Sequence, residues 1–177
     1  MQYILKYFWQ LCLLRSGPER LPATTFVLGF SFALYFIVAL ATNLLGRSDI
    51  GLFKAIAFIM IGVGVEAAIL GALLGFKSAG YRFMQSMSAL LGANSLILLL
   101  TLPISIALLS VESQTLRLFL DTAFLGIFIW WLTIAGFILH RAADISLALG
   151  IATAFGIEIL VISTTYAAFP NQVAQAG

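Results

Sequence analysis

Glu66 and Glu158 are the residues whose type and position could do chemistry in this chain. Each lies about halfway along an apolar stretch, Glu66 in GVGVEAAILGALLG and Glu158 in ATAFGIEILVISTT. An ionisable group in the middle of a bilayer costs roughly 2.5–3.5 kcal/mol to insert, so it needs a partner or a task. No lysine, arginine or histidine falls at the same depth to neutralise either one. Two carboxyls facing each other in such surroundings are expected to be neutral or to share one proton. That arrangement suits a proton or cation relay, or a polar contact for a solute crossing between helices. It suits better two neutral acids that hydrogen-bond to neighbouring helices and hold them together, since transport usually needs a wider constellation than two acids. Asn94 is the partner expected to complete an intramembrane polar site with Glu66 and Glu158, and Asn43 is a second hydrogen-bonding candidate.

Other chemistries find no support. The chain has no HExxH, GxSxG or phosphate-binding glycine loop. One cysteine, Cys12, cannot build a disulfide framework or a cysteine metal site, and it reads as a small apolar residue. His140 is the only histidine, and with Arg141 it suits the C-terminal end of a helix. Asp121 and Asp144 fall at the N-terminal ends of apolar stretches, where acids complement the helix dipole. No metal, no cofactor and no enzymatic activity are expected. A net charge of +2, without basic residues interleaved with aromatics, argues against a nucleic-acid partner.

The elements that position the glutamates follow from composition. Of the 177 residues, 62% are hydrophobic and 9% charged, and the mean hydropathy is +1.11. Soluble domains are about a quarter charged, so the solvent that suits this chain is a bilayer. Crossing the hydrocarbon takes about 20 apolar helical residues. Five segments qualify, at about 24–45, 54–75, 88–109, 119–139 and 146–167. The fold class is therefore all-α, a polytopic transmembrane bundle of five helices within 23–168. Residues 169–177 read as a short outer tail. Residues 1–22 carry Tyr3, Lys6, Tyr7, Phe8 and Trp9 before the Gly17-Pro18 break, and read as a short amphipathic helix lying in the membrane interface.

Small residues mark candidate packing faces. Gly71 and Gly75 form a GxxxG row that Gly62 extends, and Gly150, Ala154 and Glu158 recur every four residues. Such rows let helices approach closely, which would turn both glutamates inward. Pro103, late in the third span, is expected to kink it. Lysine and arginine number six on the N-terminal side (Lys6, Arg15, Arg20, Lys77, Arg82, Arg141) and three on the other (Arg47, Lys54, Arg117). That bias places the N-terminus in the cytoplasm and the C-terminus outside.

The stretches RFMQSMSALLGANSLILLLTLPISI (82–106) and IFIWWLTIAGFILHRAADISLALGI (127–151) resemble the Yip domain family of five-span membrane proteins. The likeness lies in a polar approach to the third span, a late proline, a tryptophan-bearing fourth span and a small-residue fifth span. About 22 residues precede the first span, whereas eukaryotic members carry a long cytosolic region there. The resemblance thus implies the bacterial branch, multi-pass in the inner membrane with a periplasmic C-terminus. The function expected is a scaffold or accessory subunit that binds lipid, another membrane protein or a second copy of itself. The alternative is a small transporter or channel for protons, cations or a small solute, using the two glutamates.

Overall fold

In lipid the backbone must satisfy its own hydrogen bonds, and an apolar chain does so as helix. The computed structural model describes residues 2–46 and 51–169; Arg47, most of the 46–49 turn and the tail from 170 lie outside them. The side chains of residues 2–5, Tyr3 among them, are also outside the description. The described residues form six α-helices and no strand. They are α1 (Gln2–Cys12), α2 (Thr25–Gly46), α3 (Leu52–Phe76), α4 (Phe83–Ser110), α5 (Gln114–Ala143) and α6 (Leu147–Ala168), with 3-10 turns at Pro18–Arg20 and Gly80–Arg82. Helices α2 to α6 are each long and apolar enough to cross a membrane, which makes the chain a multi-pass integral membrane protein of the all-α class.

The five spans close into a ring. Helix α2 packs on α4, α4 on α5, α5 on α6, α6 on α3, and α3 returns to α2. Side chains on the outer faces, such as Phe26, Ile37, Met60, Ile129 and Phe155, are exposed and belong against acyl chains. Helix α4 is the most enclosed span. At 1.5 Å per residue, the 28 residues of α4 and 30 of α5 run about 42 and 45 Å, longer than a hydrocarbon core of about 30 Å. They therefore start and end outside the spans expected from hydropathy.

The α1-end halves of α4 and α5 serve as the seat of α1. Every residue from Ser86 to Ala93 is buried, as are most from Ile134 to Ala143. Phe8 and Leu11 are fully buried there, and Cys12 nearly so. Gly92 makes the seat possible, because a Cβ at that position would lie 2.3 Å from the Phe8 ring. Trp130 Nε1 donates to the Cys12 carbonyl at 3.0 Å, satisfying a helix-end acceptor, and the Tyr7 hydroxyl donates to the Gly17 carbonyl. Gln85 Nε2 donates to the Leu21 carbonyl at 2.9 Å, and Arg141 pairs with Glu19 at 3.4 Å. Helix α1 is thus fastened to α4 and α5 along one face, while Lys6, Trp9 and Leu13 on the other remain exposed.

Helices α5 and α6 touch backbone to backbone. A Cβ on Gly150 would fall 2.3 Å from the Gly136 carbonyl oxygen and 3.2 Å from the His140 nitrogen. Gly62 and Gly71 leave ordinary room for a methyl group, 3.5 Å from Val161 and 3.7 Å from Phe83, and Gly75 faces open space. Pro103 lies on an exposed face of α4, which continues as helix to Ser110. Arg82 ties the α5–α6 turn down, donating to Asp144 at 2.9 Å and to the Ala142 carbonyl at 3.2 Å.

Candidate functional site

Each spanning helix contributes one polar-tipped side chain to a common layer. Measured along the helices from the end that carries α1, Tyr35 lies 10 residues in from Thr25, and Glu66 10 in from Phe76. Asn94 lies 11 in from Phe83, Trp131 12 in from Ala143, and Glu158 11 in from Leu147. At 1.5 Å per residue the five share a depth of about 15–18 Å, close to the middle of a bilayer. The ring of helices brings Glu66, Asn94 and Glu158 together, and it adds Tyr35 and Trp131 to them. Asn43 stays apart, donating to the Ala39 carbonyl of its own helix at 2.9 Å. Asp121 is exposed on α5.

The two glutamates occupy different surroundings. Glu66 is buried on α3, beside Asn94 of α4. Trp131 Nε1 donates to Asn94 Oδ1, which leaves the amide nitrogen of Asn94 as a donor. The Trp131–Asn94 bond thereby joins α5 to α4 through the interior. Glu158 instead borders a cavity of about 210 Å³. Tyr35, Asn94, Thr101 and Trp131 share its wall with Glu158, together with Phe124, Phe128 and three aliphatic side chains.

Position along the helices gives the cavity a direction. Its wall runs from Asn94 to Thr101 on α4 and from Trp131 back to Phe124 on α5, that is, from the polar layer toward the end opposite α1. On the α1 side a dense layer closes it: Leu90, Leu91, Ile134, Ile138 and Leu139 are each at most 2% exposed. The Thr101 hydroxyl donates to the Leu98 carbonyl at 3.1 Å, and Phe128 stacks on Trp131 with centroids 5.8 Å apart.

The charge pattern is one-sided. No lysine, arginine or histidine borders the cavity, and among the described residues the two ion pairs, Arg82–Asp144 and Arg141–Glu19, involve neither glutamate. No group of three or more metal-ligating side chains occurs among the described residues. The arrangement can hold a proton on either carboxyl, or set a carboxylate against a cation.

Tyr35 and Trp131 are the members that the sequence reading passed over. Tyrosine and tryptophan favour the headgroup belts, so aromatic residues with polar tips 10–12 residues inside a span were the available signal. No family model matches the chain, and neither the curated proteins nor the solved structures gave a match.

Proposed function

We propose that this membrane protein binds a small solute between its spans and passes it across the bilayer, with the α1 end in the cytoplasm. One observation carries the reading: polar side chains from all five spans meet at one depth, beside a cavity that Glu158 borders. A scaffold gains nothing from an unfilled space beside an acid, because packed apolar residues hold helices together at lower cost. A carrier needs such a space. The dense α1-side layer, and a wall that runs from the polar layer to Phe124 at the other end, fit a site reached from the end opposite α1. The six-to-three excess of lysine and arginine on the α1 side supports the orientation.

Water access tests the reading. In a Cys12→Ser background, Thr101→Cys is expected to react with a membrane-impermeant thiol reagent added on the side opposite α1. Ile134→Cys, in the closed layer, is expected to stay unreactive. Thr101→Cys as inert as Ile134→Cys would remove the solute site.

A further inference from the structure

We infer that the solute is a small organic cation, an alkylammonium of about the size of choline. This rests on the solute-site reading and follows from what the wall offers and withholds. A neutral polar solute such as a sugar needs many hydrogen-bonding groups, and most polar atoms here are engaged. The Asn94 amide oxygen accepts from Trp131, and the Thr101 hydroxyl donates to the Leu98 carbonyl. An anion would meet Glu158 with no basic residue to receive it. A bare metal cation asks for about six oxygen ligands, far more than one carboxylate, a phenol and a threonine supply.

An alkylammonium asks for what is present. Four aromatic rings, Tyr35, Phe124, Phe128 and Trp131, border the cavity, and aromatic faces attract quaternary ammonium groups. Glu158 supplies the counter-charge. The size agrees as well. A cavity of about 150 Å³ admits benzene, while drug-sized ligands need about 300 Å³ or more. The 210 Å³ here falls between, which fits a cation of about seven heavy atoms.

The test compares choline with 3,3-dimethylbutan-1-ol, its uncharged isostere, on the full-length protein in detergent. Choline is expected to raise the thermal unfolding midpoint and to slow labelling of Thr101→Cys; the alcohol is expected to do neither. Glu158→Gln should weaken choline at least tenfold. Phe124→Leu, at the exposed end of the wall, should weaken it about 2- to 30-fold while the chain stays folded. Glu112→Gln, on the exposed turn after α4, should leave binding unchanged. Equal effects of the alcohol and choline, or choline binding indifferent to both Glu158→Gln and Phe124→Leu, would overturn the cation. Labelling of Thr101→Cys without any choline effect overturns the cation and keeps the solute site. Thr101→Cys that never labels overturns both.

Discussion

Gly150→Ala probes how the helix carrying Glu158 is held. The added Cβ would lie 2.3 Å from the Gly136 carbonyl oxygen and 3.2 Å from the His140 nitrogen, both backbone atoms of α5. Backbone cannot rotate aside, so relief requires α5 and α6 to separate by about 1 Å, the shortfall from an ordinary contact. A gap of that size forfeits about a quarter to a half of each dispersion contact along the seam, including those of the buried Ala154 and Ile157. Overpacking of this kind costs about 1–3 kcal/mol. Gly75→Ala is the control. Nothing lies within 4 Å of its Cβ, and the helix itself gains about 0.5–1 kcal/mol from alanine. Because both changes place alanine in a helix, that gain cancels, and equilibrium unfolding in mixed SDS micelles should separate the two variants by about 1–3 kcal/mol, with Gly150→Ala the less stable. Because Glu158 lies two turns along the same row, the variant should also bind choline less tightly. Equal stability of Gly150→Ala and Gly75→Ala would refute the backbone contact between α5 and α6.

Three further outcomes follow from other parts of the fold. Phe8→Ala empties the seat on Gly92 and should cost about 3–5 kcal/mol if α1 stays docked, or free α1 for proteolysis ahead of the spans; unchanged protease resistance and stability would argue against the docking. Burial pushes the Cys12 thiol up to about 11, and burial followed by the Glu19 charge pushes the Tyr7 phenol up to about 12. Both hold their protons more tightly when folded, so the stability they add is complete below their ordinary values of 9.0 and 10.0 and is lost as pH rises through about 11 and 12. An alkaline titration of stability should show that decline, smaller in Cys12→Ala, and maleimide should modify Cys12 slowly at neutral pH. Trp131→Phe removes the donor to Asn94 Oδ1 and should cost about 1–3 kcal/mol, with weaker choline binding; a variant as stable as wild type would detach Trp131 from the polar layer.

The membrane class, the spans and the depth of the glutamates were legible because bilayer thickness and hydropathy act on every residue of a span. Partner choice between helices was not. Gly71 and Gly150 both sit in small-residue rows four apart, yet only Gly150 lies against backbone, since a row says that approach is allowed and not that a neighbour has taken it. The ends of α4 and α5 were missed for a related reason. Their extra turns carry polar residues such as Gln85, Ser86, Gln114, Arg117, His140 and Arg141, so mean hydropathy falls where the helix continues. Phe8 illustrates the same limit: an aromatic residue near Lys6 reads as interfacial, and its burial depends on Gly92, 84 positions away. Within the polar layer, type and depth pointed to Glu66, Glu158 and Asn94. Tyr35 and Trp131 needed the helix order, which places α2 and α5 against α4.

Uptake of radiolabelled choline into proteoliposomes tests whether the midplane layer and its cavity form a solute path. Wild-type protein should drive uptake down a choline gradient above the rate of protein-free liposomes, and Glu158→Gln should abolish it while remaining folded. Wild-type uptake no faster than protein-free liposomes, or uptake that survives Glu158→Gln, would contradict the account.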